Sequence, residues 1–445
     1  MKPYPYQEEG IAFLAARRRA ALLDEPGLGK TAQAIEAMAR VAARRTLILA
    51  PLIVVGNWER ELAAWAPWAS VQRLRKGRDR ISDASVIICP HSLIASRQIH
   101  AQLCAGQWDC AIVDEAHYFK TPGAQRTQAL YSRAHGVANH CERLWILTGT
   151  LAPNNASETY SHLSQLAPNA LLCNGRPMSH AMFVARYCQV ETVNFGRGSV
   201  QRIVGNRNAD ELRSIIESVS LRRRKVDVLR DLPASRSAVV PLPPPSQKAL
   251  RPLREVLDRI AGEAQVDLSS LDGADLMAVL RDSAEFGTYR RLTGEVKAAA
   301  AVDYLRNELD SGLPKIVVFA HHLSVIAQLA EGLADYGVEV IAGSVAADDR
   351  QRIVDRFQTD PSCRVVVGQL AAASVGITLT AASDVAFVEA DWTPGNNRQA
   401  ADRVHRIGQT APVLVRYLAM QGSVDADVMA ALERKTAMLS ELGMS

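Results

Sequence analysis

The sequence predicts an α/β protein with two lobes in tandem, each built on a parallel sheet, and three observations lead to that prediction. Short runs of β-branched and apolar residues alternate with helical stretches, a pattern typical of parallel strands joined by helices. This alternation occurs twice along the chain. The length of 445 residues is also more than one hydrophobic core usually supports.

The first predicted lobe spans residues 1–236 and contains five strands. A helix at 31–45 follows the first strand, and residues 155–232 lack strand-like runs, so we expect a helical insertion there. The predicted strands are 19–23, 45–51, 85–90, 110–115 and 143–149.

The second predicted lobe spans residues 248–445, with a helical insertion at about 248–292 and a helix near the C-terminus. The segment 237–247, "SAVVPLPPPSQ", is predicted to be the linker between the lobes, because its prolines cannot continue a helix or a central strand. The predicted strands are 315–320, 338–343, 363–369, 384–390 and 412–419.

The composition indicates a soluble globular protein, with 48% hydrophobic and 22% charged residues. No apolar run reaches the roughly 18 residues of a membrane span, and the N-terminus lacks a signal-peptide core. We therefore expect a cytoplasmic protein without a membrane partner. Seven cysteines, an odd number without a C-x-x-C pair, argue against a disulfide framework and a structural zinc site. The net charge of +4 neither requires nor excludes a nucleic-acid partner.

The segment "LLDEPGLGKT" at 22–31 follows a strand and opens a helix, which is the context of a phosphate-binding loop. Backbone N–H groups of such a loop surround phosphates, a lysine neutralises them and a hydroxyl binds Mg²⁺, so ATP and Mg²⁺ are the predicted cofactors. Asp24 stands where the motif has its first glycine. The predicted nucleotide-binding residues here are Pro26, Gly27, Leu28, Gly29, Lys30 and Thr31, with Thr31 also a metal ligand.

Two further motifs follow later strands of the first lobe. In "CAIVDEAH" at 110–117, Asp114 suits Mg²⁺ coordination and Glu115 suits polarising the attacking water. In "LTGT" at 147–150, Thr148 and Thr150 can hydrogen-bond His117 and link the ATP site to the far face of the lobe. The alternatives are a surface acidic pair and a pair of capping threonines.

The segment "ADRVHRIGQT" at 401–410 contains two arginines in a lobe that has no phosphate loop of its own. Arg403 and Arg406 are three residues apart, which on a helix places both on one face. We expect them to stabilise the charge that develops on the γ-phosphate when the lobes close over an ATP site in the cleft between them. The alternative is a solvated helix face that pairs with Asp402.

The ordered set "PYQEEGIAFL", "DEPGLGKT", "DEAH", "LTGT" and "QAADRVHRIGQ" resembles the Swi/Snf-type family of superfamily 2 helicase-like ATPases. "FAHH" together with "DRVHRIGQT" is most similar to the annealing-helicase branch, and the resemblance covers nearly the whole chain. It implies two RecA-like lobes and an ATP-driven translocase that moves along or remodels double-stranded or forked DNA.

The resemblance also implies roles for single residues. Gln7 would contact the adenine, and Gly376 would line the second-lobe side of the ATP cleft. His117, Thr148, Thr150 and Gln399 would couple the nucleotide site to DNA. Local departures, such as Leu151 in place of a proline, keep two other functions open: a strand-separating helicase and a DNA-binding clamp with a vestigial ATPase.

Partners are predicted only in outline. The basic runs 72–80 and 221–225 are candidates for DNA phosphate contacts, which position a protein without reading sequence. The chain has little room outside the two lobes, so we expect a minimal motor of prokaryotic or phage origin, associated with the nucleoid. The resemblance implies a monomer. The sequence leaves open whether a separate protein partner targets the motor to its substrate.

Overall fold

A computed structural model of the chain describes residues 2–195, 198–229, 231–266, 268, 279–280, 282–373, 377–420 and 435–443. The chain forms two compact units. Unit 1 contains Met1–Gln189, Gly205–Arg230 and Ala437–Ser445, and unit 2 contains Val190–Val204 and Asp231–Thr436. Both units are therefore discontinuous in sequence, which the predicted limits at 236 and 248 do not anticipate.

The strands, in chain order, are β1 (Arg19–Leu22), β2 (Thr46–Ala50), β3 (Val71–Arg73), β4 (Val86–Pro90), β5 (Trp108–Asp114), β6 (Cys141–Leu147), β7 (Leu172–Cys173), β8 (Arg176–Pro177), β9 (Cys188–Phe195), β10 (Gly198–Asn206), β11 (Ser220–Leu221), β12 (Ser235–Leu242), β13 (Ile316–Ala320), β14 (Val338–Ile341), β15 (Val365–Gln369), β16 (Asp384–Phe387) and β17 (Val413–Met420).

The α-helices are α1 (Pro5–Ala15), α2 (Lys30–Arg40), α3 (Val55–Trp65), α4 (Arg97–Ala105), α5 (Gln125–Tyr131), α6 (Tyr160–Leu166), α7 (His180–Tyr187), α8 (Ala209–Val219), α9 (Lys225–Val228), α10 (Gln247–Ala264), α11 (Phe286–Asp310), α12 (Leu323–Gly332), α13 (Ala347–Thr359), α14 (Leu370–Ala373) and α15 (Pro394–Ala401). Short 3₁₀ helices lie at Leu52–Val54, Ala116–Phe119, Val137–His140, Ala156–Thr159, Pro168–Leu171 and Ala334–Tyr336.

The main sheet of unit 1 has seven parallel strands in the order β11-β1-β6-β5-β2-β4-β3. All five predicted strands are confirmed. The short outer strands β3 and β11 were not predicted, because two or three residues do not establish a periodicity. The central strands β2 and β4 are buried at every position, as expected for a parallel sheet covered on both faces.

The sheet of unit 2 has six parallel strands in the order β12-β17-β16-β13-β15-β14. Its five predicted strands are confirmed, and so is the α/β class. Side chains of β13 alternate between two cores: Val317 and Phe319 lie in one, and Val318 lies in the other. This two-sided burial explains why the strand reads as a continuous apolar run.

The predicted linker at 237–247 is wrong for its first half. Residues Ser235–Leu242 form β12, which pairs along its whole length with β17. Pro241 is tolerated because β12 is the edge strand of the sheet, where a missing N–H breaks no ladder on the outer side. The helix α10 starts soon afterwards, with the Ser246 hydroxyl accepting a hydrogen bond from Ala249 N.

The predicted helical insertion at 155–232 is also only partly right. It contains α6, α7 and α8, but also the antiparallel pair β7 and β8 and the two-stranded sheet β9–β10. The described part of the segment 248–292 is mostly helical, with turns at 265–266 and 283–285. Near the C-terminus, residues 435–441 are helical, whereas residues 425–434 of the predicted C-terminal helix, 425–442, lie outside the described residues.

Candidate active site

The predicted motifs of unit 1 meet at one edge of its sheet. The phosphate-loop segment follows β1, the threonine segment follows β6 and the acidic pair ends β5. These three strands are neighbours in the order β1-β6-β5 and run parallel. Their carboxyl ends therefore lie side by side, the usual place for a ligand site in an open parallel sheet.

The phosphate-loop segment has the backbone of an anion-binding turn. Gly27 and Gly29 have φ angles of 91° and 74°, a left-handed region that glycine adopts without steric cost. A Cβ at Gly29 would also lie only 2.4 Å from Gln7 Nε2. The eleven-residue helix α2 begins directly afterwards at Lys30, so its first N–H groups point out of the loop toward an incoming anion.

Side chains around the loop hold this backbone in place. Gln7 Nε2 and the Tyr6 hydroxyl donate to Leu28 O over 3.2 and 3.3 Å. Lys30 Nζ donates to Asp24 O at 2.6 Å, so the lysine folds back along its own loop. The structure thus places Gln7 against the loop, while its contact with adenine stays a prediction.

Asp24, the residue at the position of the missing glycine, is fully buried and forms an ion pair with Arg223. Arg223 belongs to the basic run 221–225, which was predicted to contact DNA. That prediction is wrong for two of its cations, because Arg223 and Lys225 are buried in unit 1 with exposures of 8% and 2%. Arg224 is exposed and pairs with Asp227.

The acidic pair lies at the end of β5. Asp114 Oδ2 accepts a hydrogen bond of 2.8 Å from Trp58 Nε1, and Oδ1 accepts one from Glu115 N. Burial of the Asp114 carboxyl, together with the charge of Glu115 beside it, raises its pKa to about 6. Glu115 itself has a φ of 47°, a strained conformation for a non-glycine residue. Trp58 is a site residue that the sequence analysis did not identify.

His117 links the acidic pair to the threonine segment. Its Nδ1 lies 3.3 Å from Glu115 Oε2 and 3.5 Å from Thr148 Oγ1. The Thr148 hydroxyl donates its own proton to Thr150 O at 2.8 Å, so Thr148 can only accept from His117, and Nδ1 must carry the proton. The predicted contact of Thr148 is confirmed. The one predicted for Thr150 is wrong, since its hydroxyl donates to Ala152 O.

The threonine segment also adjoins the phosphate loop. A Cβ at Gly149 would lie 3.4 Å from Pro26 Cδ. The β6 loop thus lies within van der Waals distance of the β1 loop at this position.

In unit 2, the two predicted arginines do not share a helix face. Helix α15 ends at Ala401, so Arg403 and Arg406 lie in the turns that follow, and that prediction is wrong. Arg403 Nε donates to Gln399 O at 3.1 Å, and Arg406 Nη1 donates to Ile377 O at 3.2 Å. Gly376 lies outside the described residues.

A buried glutamine holds the turn that follows the helix. Gln409 Nε2 donates to Ala382 O at 2.7 Å and to Val404 O at 3.2 Å. Its Oε1 accepts from Thr410 N and Ala411 N. One side chain therefore fixes the turn that carries both arginines, a role that sequence spacing does not reveal.

The basic run 72–80 starts at the end of β3 and continues as a loop with a defined shape. Asp79 Oδ2 accepts hydrogen bonds of 2.6 and 2.9 Å from Arg75 N and Lys76 N, and these contacts lower the pKa of Asp79. Gln102 Nε2 donates to Asp79 O from the side. The loop holds its neighbouring cations, Arg75, Lys76, Arg78 and Arg80, exposed to solvent.

Among the described residues, none of the helices has the length and apolar character needed to cross a membrane.

Two family models match the chain in the order of its lobes. The SNF2-related domain matches residues 6–250, and the helicase conserved C-terminal domain matches residues 298–408. The resemblance seen in the motifs is thereby confirmed.

Curated relatives match almost the whole chain. The "DNA annealing helicase and endonuclease ZRANB3" of Bos taurus is 31% identical over 445 residues, which cover 98% of this chain and 40% of the relative. The "SWI/SNF-related matrix-associated actin-dependent regulator of chromatin subfamily A-like protein 1" of Xenopus tropicalis is 31% identical, covering 99% of this chain and 45% of the relative. The chain thus spans less than half the length of these relatives.

A solved structure titled "Sulfolobus solfataricus SWI2/SNF2 ATPase core in complex with dsDNA" aligns with a TM-score of 0.45 and 22% identity, over 98% of this chain and 93% of that chain. The SNF2-related match alone covers more than half of the sequence. The chain therefore belongs to the SNF2-related family.

Proposed function

We propose that this protein is a DNA-dependent ATPase that moves along, or remodels, double-stranded or forked DNA. One observation carries the proposal. The phosphate loop, with its two glycines at positive φ and Lys30, lies at the same edge of the sheet as the acidic pair Asp114–Glu115. Family membership and the printed name of the bovine relative, an annealing helicase, support DNA as the second substrate.

The residues present fit ATP with Mg²⁺. The loop N–H groups from Gly27 to Thr31, with Lys30, would hold the phosphates. The Thr31 hydroxyl and the Asp114 carboxylate are hard oxygen ligands of the kind that Mg²⁺ takes from proteins when it also binds phosphates. Two adjacent carboxylates, one with its pKa raised to about 6, are a place where a cation is favourable. The ion would neutralise charge on the phosphates when bound.

The remaining assignments follow from chemistry and motif. Glu115 would accept a hydrogen bond from the attacking water and orient it, while His117 holds the Glu115 carboxylate from the side. Arg403 and Arg406 would stabilise the negative charge that develops on the γ-phosphate. His117, Thr148 and Gln399 would relay the state of the nucleotide to DNA.

The exposed cations of loop 72–80 would contact DNA phosphates. A defined loop that presents several cations binds a polyanion with little loss of backbone entropy. Such contacts position the protein without reading bases, and their strength falls steeply with salt.

The test is steady-state ATP hydrolysis at one fixed salt concentration without nucleic acid, with single-stranded DNA, with blunt duplex and with a model fork. We expect strong stimulation by duplex and a further rise with the fork. Lys30→Ala should abolish hydrolysis, because the phosphates lose their neutralising cation. Arg40→Met is a matched control: Arg40 lies on the same helix, in an exposed pair with Glu8, and should leave hydrolysis unchanged.

Stimulation by single strands alone would replace the proposal with a strand-separating helicase. Absence of hydrolysis with every DNA would overturn it in favour of a DNA-binding clamp. A triplex-displacement assay on duplex DNA then separates movement along the duplex from hydrolysis without movement.

A further inference from the structure

A buried carboxylate lies directly beneath the proposed phosphate loop. Asp24 has no exposed surface, and its own carbonyl oxygen accepts the hydrogen bond of Lys30. A negative charge at this place would repel the phosphates of a nucleotide, and a buried unpaired charge is itself costly. The loop can therefore bind an anion well only if Asp24 is compensated from within the protein.

Arg223 provides the compensating positive charge through a bidentate contact with the Asp24 carboxylate. Its Nε donates to Asp24 Oδ1 at 3.0 Å, and its Nη2 donates to Asp24 Oδ2 at 2.5 Å. This geometry engages both carboxylate oxygens and is among the strongest hydrogen-bonded ion pairs in proteins.

The same guanidinium reaches two further elements around the loop. Nη2 also donates to Gln33 Oε1 on α2 at 2.8 Å, and Nη1 donates to Tyr6 O on α1. Gln33 Nε2 in turn donates to Asp24 Oδ2 and to Leu28 O, both at 3.1 Å. One arginine side chain thus joins the start of α1, the base of the loop and the first turns of α2.

The space for the guanidinium depends on a glycine. A Cβ at Gly10 would lie 1.9 Å from Gln33 Oε1 and 2.7 Å from Arg223 Nη2. Helix α1 can therefore cover the ion pair only where it has no side chain.

The backbone around Arg223 also runs along the loop. Leu23 N donates to Leu221 O at 2.7 Å, and Glu25 N donates to Arg223 O at 3.1 Å. These bonds extend the pairing of β1 with β11 past the end of β1 and into the loop. Residues about 200 positions apart in sequence are thus held in register at the base of the site.

We propose that Arg223 is a positioning residue of the nucleotide-binding loop. By neutralising Asp24 and joining α1, the loop and α2, it keeps the N–H groups of Gly27–Thr31 directed at the polyphosphate. This inference rests on the proposed function, since it concerns the same nucleotide site.

The test compares Arg223→Met, Asp24→Asn and the double variant in full-length protein, by titration with N-methylanthraniloyl-ADP without DNA and by ATPase kinetics with duplex. We expect Arg223→Met to weaken nucleotide binding at least tenfold and to raise KM more than it lowers kcat. The double variant should recover a substantial part of the affinity, because no unpaired carboxylate remains. Arg40→Met, which removes an exposed cation between the same two helices, should change affinity less than twofold.

Unchanged nucleotide affinity in folded Arg223→Met would overturn the inference, and so would a double variant no better than Arg223→Met. If Arg223→Met does not fold, Arg223→Lys and the double variant test the inference instead. Wild-type nucleotide affinity in both variants would overturn the inference. A loss of affinity in Arg223→Lys, which keeps the charge but not the bidentate contact, would support it. A wild-type protein that binds the nucleotide analogue but hydrolyses no ATP with any DNA defeats the proposed function alone. One that does not bind the analogue defeats both.

Discussion

His162 lies in the interior of unit 1 as a neutral imidazole. Its Nδ1 lies within hydrogen-bond distance of the Tyr131 hydroxyl, at 3.2 Å, and Nε2 has no hydrogen-bond partner among the described residues. Burial, with a smaller contribution from His117, lowers the pKa of His162 to about 3. A proton on this ring would be an unpaired buried charge, so the folded protein does not take it up at ordinary pH.

This histidine should make the protein less stable in mild acid. Below about pH 6.5 the unfolded chain binds a proton at this side chain and the folded chain does not, so the unfolding free energy falls as pH drops toward 3, by about 1.4 kcal/mol per pH unit. His162→Gln keeps an acceptor for Tyr131 and removes the titration. Urea unfolding between pH 7.5 and 5 should therefore show a shallower pH dependence in the variant.

His135→Gln is the control for the substitution itself, because it replaces an exposed histidine of the same unit. Some pH dependence will persist in His162→Gln, since burial also lowers the pKa of His91 to about 3. Equal slopes for wild type and His162→Gln would contradict the prediction.

At the level of single residues, the sequence identified residues whose type and spacing indicate a chemical role. It missed residues whose role depends only on where the fold places them. Lys30, Asp114 and Glu115 stand out because their types and spacing indicate phosphate and metal chemistry. Neither Trp58 nor Arg223 belongs to a pattern of this kind. Trp58 contacts Asp114 and Arg223 contacts Asp24, and both contacts join residues far apart in sequence. A basic run such as 221–225 looks the same whether its arginines face water or a buried carboxylate.

Among the elements, the turn before β14 depends on a glycine. Gly337 has a φ of 66°, and a Cβ there would lie 2.0 Å from Ser362 O. Gly312 has a φ of 101° but has no atom within 4 Å of such a Cβ among the described residues. The two positions thus share a positive φ that favours glycine, and they differ in crowding.

Gly337→Ala should destabilise unit 2 more than Gly312→Ala. The left-handed conformation costs an alanine about 1–2 kcal/mol at either position, and the clash at Gly337 should add roughly 1–3 kcal/mol. Urea denaturation of both variants measures the difference. Equal losses would show that the β14 turn moves aside to accept the methyl group.

At the same scale, periodicity predicted the central strands and one edge strand, β14, and missed the edge strands β3, β11 and β12. All ten predicted strands exist because buried parallel strands are continuous β-branched runs. β12 was missed because its proline suggested a linker, yet an edge strand tolerates proline. Gln409 holds the turn after α15 through contacts that include Ala382 O, 27 positions away in sequence, so no local pattern shows it.

In the whole molecule, unit 1 is completed by residues 437–443, which follow unit 2 in the chain. Asn206 Nδ2 donates to Met438 O and Glu441 Oε2, both at 2.8 Å. Leu439 and Leu442 are buried, with exposures of 4% and 1%. The sequence does not predict that the chain returns to unit 1, because the contacts join residues more than 200 positions apart.

Leu442→Asp should therefore loosen unit 1 and leave unit 2 unchanged. Exposing a buried leucine loses about 1.5–3 kcal/mol, and burying a carboxylate in its place costs more. Hydrogen exchange should speed up in α8 and β11 and stay constant in β13. Ser440→Asp, at an exposed position of the same segment, is the matched control. Faster exchange in β13 as well would contradict the assignment.

The late return of the chain to unit 1 has a consequence for its biosynthesis. A ribosome that has finished residue 230 must still add about 200 residues before it reaches 437, which at about 5–20 residues per second takes roughly 10–40 s. During that interval Asn206 and the side of unit 1 that receives Leu439 and Leu442 lack their final partners. The apolar side chains of unit 1 that pack against Leu439 and Leu442 therefore stay uncovered in the nascent chain until residues 437–443 have been translated.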